Sequence, residues 1–357
     1  MFRRLGCGAA GIVSGLIWRC SSGRPGPAKH WAWLQSRRTK NPDDWKRLFA
    51  RLKQGGIQAA LISGDPEFLT RLGSAGREEG VEVHVWKITL LNGNRELMKD
   101  HPDWYTISRN GLSTRDNPPY VGYYHWLCPI NPEVRTYISG KISELASLPD
   151  IRGVHLDYIR YPDVILPVGI QPRYNLVQDR EYPQFDFCYC PVCRSTFKSK
   201  YGIDPLELKN PAASKPWLQF RYDAVARIVK EASSSVHARN KQLTAAVFPS
   251  PAIARSLVRQ DWASWDVDAI MPMMYHKYYN EDVEWIGKVT EEGVKALGRK
   301  IPLYSGLFVG MLKPQELATA ARLAMRSGAR GIVLFTGHAM NEALWKSLTP
   351  VLQSDQA

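Results

Sequence analysis

Acidic side chains are scarce in this chain of 357 residues: 34 Asp and Glu stand against 47 Lys and Arg, a net charge of +13. No block of like charge and no nucleic-acid-binding motif accompanies the excess, so nucleic acid is not an expected partner. A dispersed basic surface is the simplest explanation; an acidic polymer such as an anionic or cell-wall glycan is the functional one. No Gly-rich phosphate turn follows the first strand-like segment, where Ser36-Arg37-Arg38 stands instead. That argues against an open, dinucleotide-binding sheet. No segment repeats another. No H-x-H pair or other close metal spacing occurs, so a metal-dependent hydrolase built on His155, Asp157, His276 and His338 lacks its usual signature. No cofactor is expected.

The apolar stretch Leu5–Trp18 is too short to cross a bilayer as a helix. It follows a basic Met1-Phe2-Arg3-Arg4 and precedes a linker-like Ser21-Ser22-Gly23-Arg24-Pro25-Gly26-Pro27. Residues 1–28 are therefore expected to be a signal or leader segment with a linker, implying export to the periplasm, envelope or exterior. Arg3-Arg4 suggests twin-arginine export, but the rest of that motif is not evident. Cys20 offers membrane attachment through a lipidated N-terminus, but Trp18-Arg19 matches a lipobox poorly. An uncleaved, frayed N-terminus is the alternative.

What the chain does have is regular alternation. Eight strand-like segments (residues 29–35, 57–63, 81–90, 153–161, 243–248, 268–275, 301–308 and 331–336) are mostly followed by helix-like ones. Helix starts are marked by Asn41-Pro42 and Asn131-Pro132, a cap followed by proline at the first helical position. Strands alternating with helices imply a parallel sheet. Eight such units over residues 29–352 predict an α/β fold, a (β/α)8 TIM barrel with long loops after strands 3 and 4.

In such a barrel the C-terminal strand ends carry function. The fourth strand offers Gly153-Val154-His155-Leu156-Asp157-Tyr158, with His155 and Asp157 on one face and Val154, Leu156 and Tyr158 on the other. A carboxylate near the end of a buried strand is costly unless it is paired or doing chemistry. Asp157 is the first catalytic candidate, and a salt bridge to Arg160 is its structural alternative. Asp65, directly after the second strand, is the second candidate, although Pro66 beside it also suits a helix cap. Asp163, Glu181 and Asp186 lie on the loop after strand 4, within reach of the same strand ends. Trp31 and Trp33 share a face of strand 1, and core packing is the alternative for these strand tryptophans. Substrate contacts are expected from His155, Arg160, Tyr161, Trp33, Trp86, Tyr124, Trp126, Tyr275, His276 and His338, with Tyr123, Tyr278 and Tyr279 on nearby loops.

Six cysteines are present, and Cys7 and Cys20 fall in the leader. Cys128 with the C-x-C-x-x-C run Cys188, Cys190, Cys193 leaves three readings: disulfides, free thiols, or a four-thiolate zinc site for which the spacing is half of the usual paired signature.

The segments Leu127–Ile138 (LCPINPEVRTYI), Ile151–Pro162 (IRGVHLDYIRYP) and Asp261–Tyr275 (DWASWDVDAIMPMMY), with His101–Gly111, resemble the glycoside hydrolase family 10-like proteins of bacterial envelopes. The likeness runs over roughly residues 29–350. It implies a (β/α)8 barrel that acts on a poly- or oligosaccharide by carboxylate chemistry centred on Asp157. A non-catalytic carbohydrate-binding barrel is the alternative. Such proteins commonly have Asn where Cys128 stands, so no contact of that Asn is carried over.

Overall fold

The computed structural model describes residues 28–36, 41–298 and 300–354. The expected leader, residues 1–28, lies outside the described residues except for Ala28. Eight strands are present: β1 (Trp31–Leu34), β2 (Ala59–Ile62), β3 (Glu82–Ile88), β4 (Ile151–Asp157), β5 (Gln242–Val247), β6 (Ala269–Pro272), β7 (Ser305–Phe308) and β8 (Ile332–Phe335). They pair in parallel in the order β6-β5-β4-β3-β2-β1-β8-β7. Parallel bridges Ile270–Leu303 and Met273–Gly306 bring β6 against β7, giving a nearly closed barrel. This is the (β/α)8 TIM barrel that the alternation predicts.

Helices α1 (Pro42–Gln54), α2 (Pro66–Glu79), α3 (Arg95–Asp100), α4 (Pro132–Ala146), α5 (Pro191–Tyr201), α6 (Lys215–His237), α7 (Pro251–Val258), α8 (Trp285–Ala296), α9 (Pro314–Arg326) and α10 (Glu342–Ser354) surround it. The predicted caps form: Asn41 Oδ1 accepts from Asp43 N at 3.0 Å, and Asn131 Oδ1 from Glu133 N at 2.9 Å. Among the described residues no helix is long and apolar enough to cross a membrane.

Both faces of most strands are buried, which is why these strands read as nearly continuous apolar runs. Ala32, Leu34, Ala60, Ile62, Val154 and Leu156 pack outward in the main core with the helices. Trp31, Trp33, Ala59, Leu61, Ala246, Met271 and Val333 fill the barrel itself. Gly306 makes room for one of them: a Cβ there would lie 3.1 Å from the Trp33 indole and 2.8 Å from the Pro272 carbonyl.

Strand β4 is shorter than expected. It stops at Asp157 because Tyr158 takes a left-handed backbone, φ 51°. The Tyr158 N–H turns back to donate to Asp157 Oδ1 at 2.7 Å. Two long excursions follow β3 and β4, over residues 89–131 and 158–214. They dock on each other through a Ser108–Phe187 bridge and a Tyr189 N to Ile107 O hydrogen bond of 2.7 Å.

Candidate active site

At the C-terminal ends of the strands lies a cavity of about 490 Å³. Its floor comes from strand residues Trp33, Trp86, Asp157 and Phe335, with Met273 and Tyr275 just beyond β6. Its walls are the excursions: Tyr120 and Tyr124 from the first, and Tyr158, Arg160, Asp163 and Tyr174 from the second. Tyr278 and Tyr279 close the β6 side. An apolar, ring-lined cleft with a few convergent polar groups has the make-up of a small-molecule binding site.

Asp157 is only 8% exposed. Its Oδ2 accepts from Trp86 Nε1 at 2.9 Å, and its Oδ1 from the Tyr158 amide. Burial pushes its pKa above the ordinary aspartate value; the Trp86 and Tyr158 hydrogen bonds and the Arg160 charge pull the other way, and burial wins. The carboxyl is therefore fixed in place, and burial disfavours its charged form. Tyr275 stacks on Phe335 with ring centroids 5.6 Å apart.

Arg160 is buried against the wall. Its Nη1 donates to Asp163 Oδ2 and to the Tyr161 carbonyl, each at 2.9 Å. Its guanidinium carbon lies 4.8 Å from the Trp126 ring, 5.0 Å from Phe248 and 5.3 Å from Tyr158. The predicted alternative for Asp157, a salt bridge to Arg160, is thus made by Asp163 instead.

His155 shares the inner face with Asp157 but lies beneath the floor. Trp33 Nε1 donates to His155 Nε2 at 3.1 Å. An indole N–H can only donate, so Nε2 is bare and the proton sits on Nδ1, facing Thr244 Oγ1 at 2.8 Å. Complete burial, helped by the His84 charge, holds its pKa down to about 3. A neutral His155 orients Trp33 and does not line the cavity.

Several other expected contacts sit elsewhere. Asp65 caps α2, accepting from Phe68 N at 2.9 Å, and is exposed outside the cavity lining. The pull of an N-terminal turn explains this placement. Trp126 is fully buried beneath Arg160, and Tyr161 is buried beside the cysteines. His276 is buried at the start of a short 3-10 turn, and His338 packs edge-on to Trp45 at 6.0 Å; neither lines the cavity. Trp31 packs deeper in the barrel, 4.7 Å from the His84 ring. Glu181 pairs with Arg259, and Asp186 with Arg221 at 2.5 Å, so both brace the second excursion. Tyr123 is 60% exposed.

Sequence reasoning missed Tyr120, Tyr174, Phe248 and Phe335, and it placed Tyr158 on the wrong face. Strict alternation aimed Tyr158 outward; the left-handed turn brings it to the cavity. The four cysteines converge, with their Sγ atoms all within 4.8 Å of one another. Cys128 Sγ is 3.4 Å from Cys193 and 3.6 Å from Cys190, well beyond a disulfide bond of about 2.05 Å.

A (β/α)8 barrel with a buried carboxyl at the floor of an aromatic cleft is the architecture of a carbohydrate-active barrel. The family match is more specific. Residues 56–319, more than half of the chain, match the glycosyl hydrolase-like 10 family, and the chain belongs to it. Solved structures agree on the fold. The chain is similar to a β-galactosidase from the haloarchaeon Halorubrum lacusprofundi at 12% identity and TM-score 0.66, over 92% of this chain and 58% of that one. The glycoside hydrolase domain of PgaB (BpsB) from Bordetella bronchiseptica has 12% identity and TM-score 0.65, over 91% of this chain and 99% of that one. The β-galactosidase Gan42B has 10% identity and TM-score 0.67, over 93% and 57%. The chain thus spans little more than half the length of the two β-galactosidases. No curated protein matches it in sequence.

Proposed function

We propose that this protein hydrolyses O-glycosidic bonds in a poly- or oligosaccharide, with Asp157 as the proton donor. The observation that carries this reading is a buried carboxyl, raised in pKa, fixed at the floor of a ring-lined cleft. Such a group gives its proton to the leaving oxygen as the C–O bond breaks. Most glycosidases need a second carboxylate. Asp163 is the other carboxylate in the lining, and it takes the second role in place of Asp65. Stacking on the half-buried rings of Trp86, Tyr124 and Tyr278 holds the sugar ring. The net charge of +13 supports an anionic or cell-wall glycan.

A glycan-binding barrel without turnover is the second reading. It is favoured by the Arg160–Asp163 pair, which occupies the second carboxylate. Incubation with peptidoglycan and a panel of soluble glycans, followed by pull-down, separates the two. New reducing ends support hydrolysis; retained, intact glycan supports binding alone.

A further inference from the structure

We propose that Cys128, Cys188, Cys190 and Cys193 hold one structural zinc ion that ties the two wall-forming excursions together. Four thiolates around one zinc, each at about 2.3 Å, lie some 3.8 Å apart in a tetrahedron. The Sγ atoms here all fall within 4.8 Å of one another, and Cys128 Sγ lies 3.4 Å from Cys193 and 3.6 Å from Cys190. All four residues are at most 1% exposed, and none is in a disulfide. Buried thiols usually scatter through a core as small apolar groups. Here four converge on one centre, from two segments some sixty residues apart in sequence.

Local structure supports that convergence. Cys190 is the N-cap of α5, Pro191 follows at the first helical position, and Cys193 lies in the first turn. The C-x-x-C step therefore turns both sulfurs toward the same side of the helix start. The Ile107 amide donates to Cys188 Sγ at 3.4 Å, a contact of the kind that steadies metal-bound sulfur. Cys128 arrives from the other excursion, its N–H bonded to the Trp104 carbonyl at 2.7 Å. Binding exchanges thiol protons for the ion, releases them to solvent and involves no oxidation. None of the four cysteines lines the cavity, and four protein ligands would leave the ion no open position for substrate. Its role is to lock Tyr120 and Tyr124 on one wall against Tyr158, Arg160 and Asp163 on the other.

The test uses the full chain carrying Cys7→Ser and Cys20→Ser, so that only the four cluster thiols remain. Metal analysis after purification without chelator is expected to give about one zinc per chain. Titration with a mercurial should release that zinc as the four thiols react. Cobalt(II) in place of zinc should show intense sulfur-to-metal charge-transfer absorption. Zinc removal should open residues 89–131 and 158–214 to protease before the barrel. Cys128→Ser should lose most of the zinc; if it fails to fold, the cobalt spectrum and release stoichiometry of the four-thiol protein carry the test. Four freely titrating thiols that take up no zinc, two disulfides by mass, or iron in place of zinc would each overturn the proposal.

Discussion

Trp86 Nε1 donates to Asp157 Oδ2 at 2.9 Å across neighbouring strands of the barrel floor. This hydrogen bond favours the charged carboxylate and so opposes the burial that raises the Asp157 pKa. Trp86→Phe keeps a ring but removes the donor, so the pKa rises further. For a proton donor, that moves the alkaline limb of the kcat/KM profile to higher pH, with kcat falling about tenfold from lost orientation. A pH–rate profile checks it; an alkaline limb that moves down contradicts Asp157 as the acid.

The same burial predicts a stability effect. The folded pKa of Asp157 lies above its ordinary value of 3.8, so the folded protein binds this proton more tightly than the unfolded chain. Its contribution is therefore full below the ordinary value and is lost as pH rises through the folded pKa. Asp157→Asn removes that loss, but its single carbonyl oxygen can accept from only one of the Trp86 and Tyr158 donors. The expected effect therefore lies in the pH dependence: between a pH below the ordinary value and neutral pH the variant should gain about 1 kcal/mol relative to wild type, or roughly 2–4 °C in relative Tm. Calorimetry of both proteins above and below this window is the check; a Tm difference that does not change with pH contradicts a costly buried carboxylate.

His155 has the opposite sign. Its folded pKa is depressed from 6.5 to about 3. The unfolded chain takes up the proton first, so stability falls as pH drops from about 6.5 toward 3. His155→Gln removes the titration and retains hydrogen-bonding groups for Trp33 and Thr244. Urea midpoints should show a shallower acid slope, with a cost of about 1–2 kcal/mol at pH 7. An unchanged slope would mean that other groups dominate acid unfolding.

The Arg160–Asp163 pair is almost wholly buried, with side-chain exposures of 7% and 4%. Asp163→Asn leaves the guanidinium charge among Trp126, Tyr158 and Phe248 without its counter-ion. Breaking such a pair costs about 3–5 kcal/mol. Chemical denaturation should show a loss of that order, and an unchanged midpoint would place the pair in solvent-like surroundings.

Most of the fold was legible because the strands are largely apolar and most of the connecting helices begin with a cap or a proline. The barrel and its two long excursions follow from that pattern alone. Asp157 was legible for the same reason: a carboxyl at the end of an apolar run stands out. The rest of the site depends on side chains whose partners lie far away in sequence. Asp65 looked like a strand-end acid, yet the amide of Phe68, three residues on, claims it as a cap. Trp126 sits on its expected loop but points into the packing beneath Arg160, and Tyr161, expected at a strand end, is buried beside the cysteines. Tyr120 and Tyr174 reach the cavity only because two excursions dock on each other, and no local period reports that. The cysteines were visible as a spacing, but convergence of Cys128 with the other three is a tertiary fact.

The decisive measurement is the rate of reducing-end release from peptidoglycan and soluble glycans by wild type beside Asp157→Asn. Hydrolysis through Asp157 predicts release by wild type on at least one substrate. It also predicts a loss of about 10³-fold or more in the variant, with glycan still retained in a pull-down. Equal release by both proteins, or none by either while glycan is retained, would contradict it.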